Sequence, residues 1–275
     1  MSLYFTSLNS GSNGNCYLIG NKNTAVFIDA GLSCKETEKR MRKLDLKMDN
    51  VKAIFISHEH IDHVKGLELL SLRYNLPIYL TKKTQDALRI SIPQKNVTHF
   101  ELNDKITIGA LEIKSFPKFH DAADPSSFIV RSGKYKVGVF TDIGKVCDNV
   151  ISHFKQCNAA FLEANYDEQM LENGKYPYSL KKRISGDFGH LSNDQALALF
   201  SIHRPKLMTH LLLSHLSADN NDPLLVEELF RNNSSEVNIS IASRHQETEI
   251  FEIGDSTIKK AAPVIPMQLN LFENN

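Results

Sequence analysis

The chain has 275 residues, enough for one large domain or two small ones. Its 32 Lys and Arg balance its 32 Asp and Glu, so net charge does not indicate a nucleic-acid or membrane partner, although a local basic patch would not show in this sum. The four cysteines form no Cys-x-x-Cys pair, which favours reduced thiols over a disulfide framework. We find no signal-peptide pattern and no apolar run of roughly 18 residues. These features predict a cytoplasmic protein without a membrane partner.

Hydrophobic patterns predict alternating strands and helices from residue 2 to residue 253. Ser33, Thr81 and Asp222 are the predicted N-caps of three of the helices. In chain order, the predicted elements are the strands Ser2–Leu8, Cys16–Ile19 and Ala25–Asp29, the helix Ser33–Leu44, the strand Ala53–Ser57, the helix Val64–Arg73, the strand Pro77–Leu80, the helix Lys82–Ile90, a strand-rich stretch Val97–Phe140, the helices Lys145–Phe154 and Asn193–Ile202, the strand Lys206–Leu213, the helix Pro223–Phe230, and the strands Val237–Ala242 and Thr248–Ile253. This order indicates two sheets with helices on their outer faces.

Three histidines and one aspartate lie close together in the segment Ile54–Gly66, IFISHEHIDHVKG. They follow a short apolar run, and the loop after a buried strand often carries function. Because side chains alternate along an extended chain, His58 and His60 point the same way and can bind one metal ion. Asp62 and His63 follow as the chain turns, so they face a second point nearby. Imidazole is a ligand for zinc, iron or manganese, and a carboxylate shifts the preference toward harder ions.

Further candidate ligands follow apolar strands downstream. Four side chains on one loop are too few to complete two metal sites, so a two-metal model requires ligands at other strand ends. His120, Asp142 and His215 each come directly after an apolar, strand-like run. This recurrence supports a metal site built from several strand ends.

The pattern His-x-His-x-Asp-His, followed by His, Asp and His at strand ends, resembles the metallo-β-lactamase superfamily over roughly residues 1–255. The resemblance implies an α+β fold, the αββα four-layer sandwich, with a dinuclear metal site at one edge. It implies that His58, His60 and His120 hold the first metal ion. It also implies that the second ion is held by Asp62, His63 and His215, and that Asp142 bridges both.

The same resemblance assigns roles beyond the ligands. Asp29, in the sequence FIDAG, corresponds to an aspartate that supports the ligand loop without binding metal. Two divalent ions, Zn²⁺ or Mn²⁺ with Fe²⁺ as a further candidate, would lower the pKa of a bridging water to near neutrality. We therefore predict a hydrolase that uses a metal-bridging hydroxide as nucleophile, with Asp62 and His190 as catalytic residues.

Two motifs favour phosphodiester cleavage. NSGSNGN, which contains Asn13, lies between the first two strands, and GHLSN, residues 189–193, opens a helix whose backbone N–H groups suit phosphate. His190 is a candidate to bind phosphate or to protonate a leaving oxygen, but a structural role is an equal alternative. Ser192 is a candidate phosphate ligand, and the alternative is an ordinary N-cap.

These motifs, together with SHEHIDHVKGL, HDAADPSSFIV, TDIG and EANYD, are similar to the YycJ (WalJ) branch of the superfamily, whose members are regarded as bacterial metal-dependent DNases. This similarity implies a DNA exonuclease that acts in repair. The roles of Glu163, Asn165 and Asp167 remain open, because they are either groups that support the ligands or ordinary loop residues.

The last residues differ from the rest of the chain. We predict a hydrolase domain over residues 1–258 and a flexible tail over residues 259–275. The tail contains QLNLF, which matches the pentapeptide by which bacterial repair proteins bind the sliding clamp. In this hypothesis Gln268, Leu269, Leu271 and Phe272 contact the clamp, and the alternative is a tail packed on its own core.

Two other functions remain compatible with the sequence. One is a small-molecule hydrolase of the same fold, acting on a thioester, a lactone or a cyclic phosphate. The other is a non-catalytic module that binds the clamp and uses metal for stability. The complete set of metal ligands favours an enzyme over the second alternative.

Overall fold

The computed structural model describes residues 2–234 and 236–255. Within them the chain forms two seven-stranded sheets. The order of strands is β14-β1-β2-β3-β4-β5-β6 in the first sheet and β13-β12-β11-β10-β9-β8-β7 in the second. The strands are β1 (Ser2–Asn9), β2 (Cys16–Gly20), β3 (Ala25–Ile28), β4 (Val51–Phe55), β5 (Ile78–Leu80), β6 (Val97–His99), β7 (Lys105–Ile108), β8 (Leu111–Pro117), β9 (Ser126–Ser132), β10 (Tyr135–Phe140), β11 (Ala159–Glu163), β12 (His210–Ser214), β13 (Asn238–Ile241) and β14 (Phe251–Gly254).

Helices connect these strands, together with two short 3₁₀ turns at Met48–Asn50 and Gln94–Asn96. The helices are α1 (Cys34–Lys43), α2 (Ile61–Val64), α3 (Leu67–Tyr74), α4 (Lys82–Ala87), α5 (Asp148–Phe154), α6 (Glu168–Asn173), α7 (Tyr178–Ile184), α8 (Asn193–His203) and α9 (Pro223–Asn232).

Three buried apolar clusters hold four layers together. The central cluster lies between the sheets and joins Phe5 and Phe55 of the first sheet to Phe128 and Phe161 of the second. A second cluster packs α1 and α3 on the outer face of the first sheet. A third packs α5, α8 and α9 on the outer face of the second sheet. Burial of this surface stabilises the layered arrangement, and the predicted αββα sandwich is confirmed.

The predicted N-caps are also confirmed. Ser33, Thr81 and Asp222 each accept a hydrogen bond from a backbone N–H in the first turn of the helix that follows. Such a bond satisfies one of the N–H groups that have no partner within the helix. Local sequence therefore determines where these three helices begin.

The predicted helix Val64–Arg73 is wrong, because the structure divides this stretch between α2 and α3. Gly66 lies at the break, and its N–H donates to the carbonyl of Ala30. A Cβ atom at Gly66 would lie 1.8 Å from the carbonyl oxygen of Leu32, so only glycine permits this close approach. The contact holds the ligand loop against the segment that follows β3.

Part of the predicted chain organisation lies outside the described residues. They exclude residues 256–275, and with them the QLNLF motif and the boundary at residue 258. The division into domain and tail therefore stays a prediction. None of the helices within residues 2–234 and 236–255 has the length and apolar character that crossing a bilayer requires.

Candidate metal centre

The ends of several strands meet at one edge of the sandwich. In the second sheet β10, β11 and β12 are parallel neighbours, and β8 runs in the same direction because β8 and β10 are both antiparallel to β9. In the first sheet β3 and β4 are parallel. Parallel strands bring their carboxyl ends to the same edge. The polar residues that follow these strands therefore converge.

Three of these residues have a left-handed backbone, which is rare for residues other than glycine. The φ angles are 62° at Asp29, 55° at Asp142 and 56° at His215. Conformations of this kind typically cost about 1–3 kcal/mol each, and they persist where the surrounding structure holds them. The backbone conformation turns the chain sharply at each of these three residues, just after a strand.

We call His58, His60 and His120 the first triad. His58 Nε2 and His60 Nδ1 lie 3.0 Å apart, as expected for two histidines that alternate onto the same side of an extended segment. The ring of His120 lies 4.9 Å from that of His58 and 5.1 Å from that of His60, measured between centroids. One nitrogen from each of the three lies within 4.8 Å of the others, so the triad can hold one metal ion.

We call Asp62, His63 and His215 the second triad. Asp62 Oδ2 lies 3.5 Å from His63 Nε2 and 3.7 Å from His215 Nε2. Each member offers one ligand atom within 4.8 Å of the other two. Two imidazoles and a carboxylate form a ligand set that suits zinc and manganese. The structure therefore brings a second set of donors together beside the first.

Asp142 lies between the triads. Its Oδ1 is 3.9 Å from His120 Nε2 of the first triad and 3.5 Å from His215 Nε2 of the second. Its Oδ2 is 3.4 Å from His63 Nε2. Its carboxylate therefore lies near ligand atoms of both triads, and its role as a bridging ligand stays a prediction.

Buried acceptors orient the histidines of both triads. Asp29 accepts from His63 Nδ1 at 2.7 Å, and Glu163 accepts from His215 Nδ1 at 2.9 Å. His120 Nδ1 bonds the backbone carbonyl of Gly189 at 3.1 Å. A proton held on Nδ1 makes Nε2 the atom of each ring that can bind a metal ion. Asp29 therefore contacts the ring of His63, and its role in supporting the ligand loop stays a prediction.

The centre contains buried polar atoms that no described residue satisfies. His120 Nε2, His215 Nε2 and Asp142 Oδ2 have no hydrogen-bond partner within the described part of the chain. A buried polar atom without a partner is costly, and native proteins normally avoid it. All three atoms belong to the triads or to Asp142. The residues therefore fit metal ions, because coordination would satisfy these atoms.

Electrostatics differ between the triads. Burial lowers the pKa of His58 well below its usual value and lowers that of His120 to about 3. Burial acts in the same direction on His63 and His215, but neighbouring carboxylates outweigh it. They raise the pKa of His63 well above its usual value and that of His215 to about 10. In the metal-free protein, the protons on His63 and His215 therefore balance the negative charges of the neighbouring carboxylates.

His190 lies beside both triads. Its Nδ1 donates to Glu163 Oε1 at 2.8 Å, and its ring lies 5.3 Å from that of His120 and 5.1 Å from that of His215. The side chain is 20% exposed, so the ring borders solvent at the centre. Glu163 therefore supports His190 and His215 together.

Ser192 and Asn13 were predicted to bind phosphate, but in the structure both side chains make other contacts. Ser192 is buried, and its hydroxyl caps α8 in a capping box with Gln195, which is the alternative that the sequence left open. Asn13 is exposed and donates to the carbonyl of Arg244. Asn15, two residues on, reaches the centre instead, with Nδ2 at 3.2 Å from Asp62 Oδ2.

The sequence left the roles of some residues near the centre undecided and assigned no role to others. Asn165 Nδ2 donates to the carbonyl of His215 at 2.7 Å, so it supports a ligand, whereas Asp167 caps α6. Lys118 is buried and donates to the carbonyl of Thr141 at 2.7 Å, directly before Asp142. The strand-end pattern that indicated the ligands would also have indicated Glu163, which is the last residue of β11.

Comparisons with known proteins identify the family of this chain. The family model described as "Beta-lactamase superfamily domain" matches residues 24–215. The chain is 39% identical over 241 residues to exodeoxyribonuclease YycJ of Bacillus anthracis, covering 86% of this chain and 89% of that one. It is 28% identical over 267 residues to exodeoxyribonuclease WalJ of Streptococcus pneumoniae, covering 94% of this chain and 96% of that one.

Among solved structures, the metallo-beta-lactamase fold protein YhfI from Bacillus subtilis superimposes with a TM-score of 0.70 at 15% identity. The superposition covers 92% of this chain and all of the other, and at this identity it supports the fold alone. On the family match and the identity to the Bacillus anthracis protein, the chain belongs to the beta-lactamase superfamily.

Proposed function

We propose that this protein is an exonuclease that hydrolyses phosphodiester bonds in DNA with divalent metal ions held by the two triads and Asp142. The observation that carries the proposal is the convergence of seven donor side chains, with three buried ligand atoms that lack any partner among the described residues. The similarity to two exodeoxyribonucleases over most of the chain supports DNA as the substrate.

Two bound divalent ions would supply an activated water and would stabilise the negative charge that develops on phosphate. The residues of the chain prepare the site for this chemistry. Asp62 is 19% exposed, and its pKa lies well below the usual range: burial would raise it, but the neighbouring His63 and His215 outweigh burial. It therefore stays ionised at neutral pH and can orient a water molecule by accepting a hydrogen bond. No Ser or Cys nucleophile is required.

His190 is the proposed contact to the leaving group or to a phosphate oxygen. Glu163 accepts the Nδ1 proton, so the Nε2 edge of the ring remains for the substrate. Glu163 is held in turn by the backbone N–H groups of Ile143 and Leu191, at 2.8 and 3.2 Å. This support fixes the orientation of His190 before the substrate binds, which is the usual requirement for proton transfer.

Cleavage of end-labelled linear DNA tests the proposal. Wild type, Asp142→Ala and the control Asp86→Ala are compared on single-stranded and duplex substrates with Mn²⁺ or Zn²⁺. Asp86 is an exposed residue of α4, paired with Lys82, so its loss should leave cleavage unchanged. We expect metal-dependent degradation by wild type and by Asp86→Ala, but none by Asp142→Ala. Equal degradation by all three would attribute the activity to a contaminant and refute the proposal.

The tail motif supports a proposed partner, the bacterial sliding clamp. Binding of the full chain to the clamp is compared with that of a Leu271→Ala, Phe272→Ala double variant. We expect the double variant to lose clamp binding while cleavage of clamp-free DNA is unchanged, because tethering raises only the local concentration of enzyme on DNA. Equal binding by both proteins would eliminate the clamp as a partner of this motif.

A DNA substrate would also place the protein in the cytoplasm, which stays a prediction.

A further inference from the structure

An aromatic pair, Phe119 and Phe188, borders the metal centre. Phe119 directly precedes His120 of the first triad, and Phe188 lies two residues before His190. The two rings contact edge to face, with centroids 5.8 Å apart. Phe188 is 56% exposed and Phe119 is half-buried. A large apolar surface therefore faces solvent beside the proposed catalytic groups.

The loops that carry the pair are firmly held. The carbonyl of Phe119 accepts from Gly144 N at 2.7 Å, and the carbonyl of Phe188 accepts from Asp121 N at 3.0 Å. A Cβ atom at Gly144 would lie 2.1 Å from the carbonyl oxygen of Asp187. A Cβ at Gly189 would lie 2.1 Å from the carbonyl oxygen of Ile184. These close approaches hold the backbone at Phe119 and Phe188 in place beside the centre.

One cation contacts the pair, and a second is bonded to Asp121, whose backbone N–H donates to the carbonyl of Phe188. Lys145 Nζ lies 4.3 Å from the centroid of the Phe119 ring and 2.7 Å from Asp187 Oδ2. Arg183 pairs with Asp121 at 2.6 Å, and the last turn of α7 also carries Lys181 and Lys182. This border combines an aromatic surface with two cations, each paired with one carboxylate, that can contact a phosphate backbone. A protein partner that needs only an apolar surface would not require these charges.

We propose that Phe188, supported by Phe119, is the surface on which an unpaired base at the end of a DNA strand stacks while its phosphodiester bond lies at the metal centre. This inference rests on the proposed exonuclease function and specifies a single-stranded end as its substrate. Every base presents a flat π-face, so stacking on an aromatic side chain binds DNA without regard to sequence. A base inside a duplex is already stacked and would not use this surface.

Single-stranded oligonucleotides with one abasic site, placed in turn at each of the first four positions from either end, test the inference. kcat/KM is measured for wild type, Phe188→Ala and Phe188→Trp of the full chain, together with the control Leu224→Ala. Leu224 is a large apolar side chain that is 76% exposed, like Phe188, but it lies on α9. Metal content and melting temperature of each variant show whether the fold and the centre are intact.

We expect Phe188→Ala to lower kcat/KM on the unmodified strand by roughly tenfold, mainly through KM, because one stacking contact is lost. Phe188→Trp and Leu224→Ala should retain activity. With wild type, an abasic site at one of the positions should lower kcat/KM by the same factor. On that substrate, Phe188→Ala should lower kcat/KM no further. Losses that are equal on all substrates, or no loss at all, would overturn the inference while wild-type cleavage still supports the proposed function. If wild type cleaves no DNA, the proposed function and this inference are both refuted.

Discussion

The two triads lie side by side, but their histidines differ in protonation state before metal binds. The first consists of histidines alone, and burial keeps His58 and His120 neutral, with free nitrogens. The second contains one carboxylate and is surrounded by Asp29, Asp142 and Glu163, so His63 and His215 carry protons until metal replaces them. The comparison teaches that the negative charges of one buried centre can be balanced in two ways. Protons on His63 and His215 balance them in the metal-free protein, and metal ions balance them once bound. It predicts that the triads respond differently to mutation and to pH.

Removing one ligand from either triad should have the largest effect. We expect His120→Ala and His215→Ala each to reduce bound metal from two ions to one per chain. Each should slow DNA cleavage by about a thousandfold or more, because several kcal/mol of charge stabilisation are lost. Metal analysis by mass spectrometry and initial cleavage rates check this, with His203→Ala at the end of α8 as the control. Loss of both ions from either single variant would show that the triads do not bind separately.

Removing a carboxylate that orients the second triad should have a smaller effect. Asp29→Asn and Glu163→Gln keep the shape of each side chain but weaken its bond to His63 or His215. Changes of this kind typically cost about 10–100-fold in metal affinity or activity. We expect weaker binding of one ion only, measured by competition with a chelator. The matched control is Glu227→Gln on α9, and weakening of both ions would contradict independent support of the triads.

Metal binding should release protons from one triad only. At pH 7 the second triad must lose the protons of His63 and His215 to bind metal, because their pKa values are raised, to about 10 for His215. We therefore expect uptake of one ion to release about two protons, and its affinity to fall as pH is lowered. Calorimetry in buffers with different ionisation enthalpies measures this release. Uptake of both ions without proton release would refute the assigned charge states.

The same pKa values predict the pH dependence of the metal-free protein. The pKa of His215 is raised on folding from about 6.5 to about 10. The stabilisation from its proton is therefore complete below pH 6.5 and is lost as pH rises toward 10. We expect the melting temperature of the chelator-treated protein to fall across this window, and that of the metal-loaded protein to change less. Identical curves would indicate that His215 is not protonated in the metal-free fold.

The smallest effect should come from an amide beside the second triad. Asn15→Ala removes a hydrogen bond of 3.2 Å to the ionised Asp62. A bond to a charged group contributes about 1.5–3 kcal/mol, and this one is long, so activity should fall roughly tenfold. Asn13→Ala is the matched control, because this exposed side chain bonds the carbonyl of Arg244 instead. A larger loss in Asn13→Ala than in Asn15→Ala would restore the sequence-based choice of Asn13 as a phosphate ligand.

Local patterns predicted two sheets with helices on their outer faces and candidate ligands at the strand ends, and the family resemblance implied the αββα sandwich. Apolar runs predict strands, and residues after parallel strands must meet at one edge. Glu163 and Asn165 had no assigned role because β11, a fully buried strand of five residues, had not been predicted. The choice between Asn13 and Asn15 depends on the shape of one turn. The break at Gly66 depends on a contact with Leu32, which lies far away in sequence.

The most direct test of the two-triad centre is anomalous X-ray diffraction from crystals of the full chain grown with Mn²⁺ or Zn²⁺. We predict two anomalous peaks, one bound by His58, His60 and His120 and the other by Asp62, His63 and His215, with Asp142 in contact with both. A single peak shared by the triads, or peaks away from these residues, would contradict the account.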